Sequence, residues 1–216
     1  LVAVLVAALS GIAVHRLTRF LGEHGYPEFY QMAFGAFVAT IIAWIAFAVG
    51  VNTPLPVSGA DFAYMVAGGI VILLPGRATA AAVEDVISGY QVTGAGRMLA
   101  VFLNTAGLTV GVGGALTATL VVTDALGGSF VSPEVLDLRS FASPGVATFV
   151  GAFALGMSAA VTAQSRRRLV VPIGLLCVAG VAVSRTMTET LGLGITIASG
   201  TAAVVIGVIG RLLASR

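Results

Sequence analysis

The stretch ILLPGRATAAAVEDVISGYQVTGAGR, residues 72–97, decides the fold. It closes an apolar run that begins near Asp61 and meets Pro75 and Gly76 after only about 14 residues, whereas crossing a hydrocarbon core takes about 20 helical residues at 1.5 Å each. Proline lacks the backbone donor and clashes with the preceding turn, so the helix is expected to break at membrane depth. Beyond the break, Arg77, Ala81, Glu84 and Ser88 share a narrow arc of a helix of 3.6 residues per turn, Asp85 borders it, and Val83, Val86 and Ile87 lie opposite. This predicts an amphipathic helix with an acidic stripe. Gly89 is expected to end it, with Gly94 and Gly96 forming a flexible turn before Arg97 opens the next span.

On either side, continuous apolar runs at 1–17, 29–51, 61–76, 98–122, 145–163, 169–186 and 192–213 predict seven membrane spans. The fold class is therefore all-α, a polytopic transmembrane helical bundle with one broken helix. Composition agrees: 58% of the 216 residues are apolar and 9% charged, against about 25% charged in a soluble domain. A closed barrel would show short segments of alternating polarity instead of unbroken Ala, Gly, Val and Leu. All 11 basic residues are arginine and sit in a few clusters, so no basic face exists for nucleic acid.

The broken helix falls in a first region, 1–123. A polar loop at 124–144 follows, expected outside the cytoplasm, and 145–216 begins a second set of helices. Arginine in short loops is retained on the cytoplasmic side. With Arg16 and Arg19 there, strict alternation also places Arg77, Arg97, Arg166, Arg167, Arg168, Arg211 and Arg216 there, and only Arg139 and Arg185 outside. The segment from Arg77 to Arg97 then stays on one side or re-enters without crossing. Gly107, Gly111 and Gly114 on the fourth span let helix backbones approach closely. LSGIAVHRLTR at the start faintly echoes VIGVIGRLLASR at the end, and the short first run is expected to be part of a longer helix, so a longer protein is expected around this chain.

Enzymatic chemistry finds little support. His15 and His24 both lie in the first Arg-rich exit, Cys177 is alone in an apolar run, and no HExxH or GxSxG motif is present. No catalytic group, metal or cofactor is expected. For residues 77–89 two readings stand: a solvated helix in the headgroup layer, or a carboxylate-bearing segment lining a substrate or proton path, since irregular backbone and membrane carboxylates persist only beside a cavity. Asn104 and Thr105, two turns inside the fourth span, call for helix-to-helix hydrogen bonds, with substrate contact as the lesser role for Asn104. Trp44, Asp61 and Tyr64 lie where interfacial anchors or loop ends are expected.

The same stretch resembles the signature of the threonine/serine exporter family: Pro75 and Gly76 closing an apolar run, Asp85, then Ser88 and Gly89, Thr93 and Gly94, and Arg97. HRLTRFLGEHGYPEFYQMAFGAF, before it, is similar to that family's Arg-rich exit followed by a Pro-containing return. The resemblance implies a multi-pass protein of the bacterial inner membrane, about ten spans in two halves with an extramembrane N-terminal domain. It would be an antiporter exporting small hydroxy amino acids against the proton gradient. Its partners would be the amino acid, protons and the lipid bilayer, with self-association into a homo-oligomer left open. Related two-protein systems that export dicarboxylates such as succinate, and a non-transporting membrane scaffold, are the alternatives. Within the resemblance, Asp85 assisted by Glu84 is the proton-coupling carboxylate. Pro75, Gly76, Arg77, Ser88, Thr93, Arg97 and Asn104 are the substrate-binding candidates. An aspartate carries protons near neutral pH only where desolvation or a neighbouring carboxylate disfavours its charge, which a cavity supplies and open water does not.

Overall fold

The computed structural model describes residues 2–51, 53, 59–125, 145–162, 165–192 and 194–214, and among these every regular element is helical. In chain order they are α1 (Val2–Glu23), α2 (Glu28–Val51), α3 (Gly59–Ile70), α4 (Gly76–Ile87), α5 (Gln91–Ala125), α6 (Val146–Thr162), α7 (Val170–Leu191) and α8 (Ile195–Ala214). Short 3-10 turns at Val71–Leu73 and Arg167–Leu169 extend α3 and precede α7. The helices form two compact units, Leu1–Phe141 and Ala142–Arg216. Apart from Asp124 and Ala125, which end α5, the loop expected at 124–144 lies outside the described residues.

Four described helices are long and apolar enough to cross a membrane alone: α1, α2, α5 and α7 with its 3-10 turn. α3 and α4 make a fifth crossing if the bent pair counts as one, while the apolar parts of α6 and α8, Thr148–Val161 and Ile197–Gly210, are shorter. The expected count of seven spans thus exceeds the four to five that length and composition support among the described residues.

Glycine and alanine set the geometry of the first unit. Side chains of ordinary size would hold helix axes 8–10 Å apart, whereas here backbone approaches backbone. A Cβ added at Gly107 would come within 2.6 Å of the Phe29 carbonyl, one at Gly111 would collide with the Ala33 carbonyl, and one at Gly114 would reach Phe37. These contacts advance together along both chains, so α2 and α5 run parallel. Gly68 and Gly69 of α3 likewise abut Ala7 and Ser10 of α1, so those two are parallel. α2 is antiparallel to both: Gly22 meets Gln31, and Gly35 meets Thr18 of α1 and Leu73 after α3.

Two apolar clusters fill the spaces, Ala43, Phe47, Phe62, Met65 and Val66 at one level and Val14, Ala36, Ala39 and Leu73 at another. Trp44 packs against the first cluster, with its indole nitrogen buried and unpartnered, and is not simply an interfacial anchor. The consequence for the site is topological. The end of α1, the start of α2, the end of α3 and the start of α5 all lie at one end of this unit.

In the second unit α7 packs against both α6 and α8. A Cβ at Gly156 would meet the Cys177 sulfur at 2.7 Å, one at Gly174 would meet Phe153 at 2.9 Å, and one at Gly180 would overlap Ile206.

Candidate functional site

The third helix does break where the proline predicts it. α3 tightens into a 3-10 turn, Leu74 takes an extended conformation at φ −63° and ψ 123°, and α4 restarts at Gly76 with its axis bent by 49°. Leu73 is buried in one cluster with Val14, Ala36 and Ala39, so α1 and α2 fix the level of the break. The break exposes less backbone than expected, because the Pro75 carbonyl accepts both the Thr79 amide, at 2.9 Å, and the Thr79 hydroxyl, at 2.8 Å. What remains are the first amides of α4, at Gly76, Arg77 and Ala78, which like those of any helix start have no intrahelical acceptor. The Arg77 side chain is exposed beside them.

α4 ends in a closed motif around Gly89. With Gly89 at φ +90°, its amide donates to Val86 and that of Tyr90 to Asp85 at 2.8 Å, the paired bonds that terminate a helix on a left-handed residue. Only three residues separate α4 from α5, so the two form an antiparallel hairpin. Gly94 and Gly96 are not part of the turn, as the sequence pattern had indicated, but lie inside α5, and Arg97 is in its second turn. The reason for glycine at 94 is close approach: a Cβ there would lie 2.9 Å from the Val86 amide nitrogen and 3.0 Å from the Ala82 carbonyl oxygen. Ala82 is fully buried by this contact and Val86 shares it, whereas Val83 and Ile87 keep substantial exposure, so α4 packs through Ala82 and Val86 and not through Val83 and Ile87.

Two polar pairs then join α5 to its neighbours. Arg97 Nη1 lies 2.7 Å from Asp85 Oδ2 across the hairpin, a contact of charges outside hydrogen-bond alignment. Asp85 retains 22% of its side-chain surface and Arg97 53%, so the pair sits at the edge of the packed region and within reach of water. Farther along α5, Asn104 is 8% exposed and donates through Nδ2 to Glu28 Oε2 at 2.8 Å, at the first residue of α2. Thr105 bonds only to its own helix, at Val101. Arg97 and Asn104 are seven residues apart, two turns on one face of α5, about 10 Å along the axis.

The substrate-binding candidates separate into two groups. Counting about 1.5 Å per residue back from the Ala82–Val86 contact and forward from Gly94, the start of α4 comes level with Asn104 to within about one turn. Pro75, Gly76, Arg77 and Asn104 therefore lie near one level along the hairpin. Ser88 caps the opposite end of α4 and Thr93 lies in the first turn of α5, both exposed, about 18 Å from Gly76 along α4. No small molecule spans both groups. Glu84 is exposed one residue from the ion pair and outside it. Glu28 has no counterpart among the residues singled out in the sequence, where it reads as an ordinary acid at a helix start. The signal that could have found it is the pairing demand of Asn104.

Among the described residues no three His, Cys, Asp or Glu side chains converge on a point where a metal could sit. His24 instead bonds to the Phe20 carbonyl through Nδ1 at 2.8 Å, and α1 runs on to Glu23, so Arg16 and Arg19 are helical and Arg19 pairs with Glu23. In the second unit an apolar cavity of about 500 Å³ between α6, α7 and α8 is lined by residues such as Leu155, Val181 and Ile206, with no charged side chain.

Residues 1–119 match the family model described as "Putative threonine/serine exporter". A "Probable threonine/serine exporter" of Mycobacterium tuberculosis is 31% identical over 222 aligned positions, covering 100% of this chain and 39% of that protein. A "Threonine/serine exporter" of Corynebacterium glutamicum is 34% identical over 109 positions, 50% of this chain and 22% of that protein. The chain thus spans well under half the length of these relatives. No solved structure matches it.

Proposed function

Because the chain belongs to the threonine/serine exporter family, we propose that it supplies membrane helices of an antiporter that moves threonine and serine out through a bacterial inner membrane in exchange for protons. The observation that carries this reading is the Asp85–Arg97 ion pair across the α4–α5 hairpin, beside a helix broken inside the bundle.

The pair acts as the proton switch. With Asp85 ionised, the two charges hold α4 against α5 and the start of α4 stays level with Asn104. When Arg97 leaves, Asp85 loses its counter-charge and stands beside Glu84, the condition under which an aspartate takes up a proton, and the hairpin loses the one ion pair seen in it among the described residues. The hairpin can then pivot between the Leu74–Pro75 break and Gly89, which carries the first amides of α4 and Arg77 away from Asn104. The amino-acid carboxylate binds at those amides and Arg77, as anions do at the ends of broken helices in transporters. Substrate is therefore held in the deprotonated state and released in the protonated one, which is the alternation an antiporter needs. Arg97 serves in this scheme as the partner of Asp85, a positioning residue, and Ser88 and Thr93 lie too far from the break to touch the same molecule.

The test is flux in proteoliposomes holding the full-length protein. Threonine loaded inside should leave when an inward-directed proton gradient is imposed in the direction opposite to threonine movement, and the gradient should dissipate with it. Succinate flux without threonine flux would point to the dicarboxylate alternative, and no flux of either to a scaffold role.

A further inference from the structure

We propose that Glu28, held by Asn104, is the anionic group that binds the ammonium end of the transported amino acid. The inference rests on the export reading above and extends it by naming the group that distinguishes an amino acid from a simple hydroxy acid.

Three observations support it. First, Asp85 is neutralised by Arg97 and Glu23 by Arg19, whereas Glu28, like the exposed Glu84, is paired with no described cation, and of these two Glu28 alone is held by a buried side chain, the neutral Asn104 amide. Its negative charge is therefore available to an incoming cation. Second, Asn104 is more than nine-tenths buried in a face of α5 that continues through Gly107, Gly111 and Ala115 to Thr119 and Thr123, whose hydroxyls bond within their own helix. An amide there is costly without a partner, and its bond fixes one carboxylate oxygen of Glu28 while leaving the other free to accept. Third, through Asn104 this carboxylate lies within about one to two helical turns, along the bundle, of the start of α4, the place proposed for the substrate carboxylate, so the two ends of one zwitterion can meet opposite charges near one level. Glu28 also gains from the helix dipole at the start of α2, but a dipole interaction does not require the buried Asn104.

The experiment compares Glu28→Gln, Glu28→Asp and the wild type, full length and reconstituted, with L-threonine and with 3-hydroxybutyrate, which lacks the ammonium group. Glutamine keeps an acceptor for Asn104 and removes the charge, so folding should be retained. Loss of a charged hydrogen bond should raise the threonine KM of Glu28→Gln by about tenfold or more, with 3-hydroxybutyrate flux unchanged and Glu28→Asp close to wild type. A threonine KM within twofold of wild type in Glu28→Gln would overturn the assignment while leaving export intact. Equal loss of both fluxes would assign Glu28 a structural role and overturn it too. Failure of the wild type to move threonine or serine would instead remove the export reading, and this inference with it.

Discussion

Both units are built by glycine against a neighbouring helix, yet they put that closeness to different use. In the first, α5 meets α2 through Gly107 and Gly111 and, on the same helix, carries Arg97 to Asp85 and Asn104 to Glu28. In the second, Gly156, Gly174 and Gly180 bring α6, α7 and α8 together around Cys177, Phe153 and Ile206, and the cavity between them is apolar. Without a hydrophobic driving force between helices in lipid, small residues provide packing in either unit. The difference is that close packing in the first unit also holds polar groups of neighbouring helices together, Arg97 with Asp85 and Asn104 with Glu28. Packing alone marks a scaffold, and packing that positions charge marks a site.

The largest expected effect tests the part the units share. Gly111→Leu drives a side chain into the Ala33 carbonyl and the Ala36 methyl, and Gly156→Leu does the same at Cys177 and the Gly174 backbone. Each should cost about 1–3 kcal/mol or more, read as a lower melting temperature and loss of the monodisperse peak in detergent. Gly113→Leu and Gly151→Leu, which meet nothing within 4 Å, are the matched controls and should behave as wild type. Equal tolerance at 111 and 113 would break the account of how α2 and α5 meet.

Smaller effects sharpen the contrast. Asn104→Leu removes one interhelical hydrogen bond, worth about 0.6 kcal/mol on average within membranes, and should lower the melting temperature only slightly. Arg97→Gln should change stability least, because a pair as exposed as this contributes about 0–1 kcal/mol. Transport should nonetheless be lost in Arg97→Gln. A variant that melts like wild type but no longer couples would show that the pair is kept for switching and not for holding the fold.

Much of this was legible in the sequence because the decisive signals are local. Apolar runs, Pro75 and the left-handed Gly89 each act within a turn or two, and they predicted the helices, the break and the end of α4. Two kinds of feature were not. The reach of a helix depends on what packs beside it: Gly94 and Gly96 look like a turn, but Ala82 and Val86 of α4 pack on Gly94, and α5 is helical from Gln91 through both. Partners across the bundle depend on register, and nothing near Glu28 in sequence announces Asn104, 76 positions on. For the same reason the pairing of Arg97 with Asp85 across the hairpin was not legible in the sequence.

The most direct test of the central claim is proton-driven threonine export by Asp85→Asn in sealed proteoliposomes, measured beside threonine exchange in the absence of a gradient. The account predicts a folded, inserted protein whose gradient-driven export falls to the level of empty vesicles while exchange persists, because the switch is lost and the binding region is not. Export at the wild-type rate with unchanged pH dependence in Asp85→Asn, and again in Glu84→Gln, would contradict it and leave these carboxylates as the solvated face of an amphipathic helix.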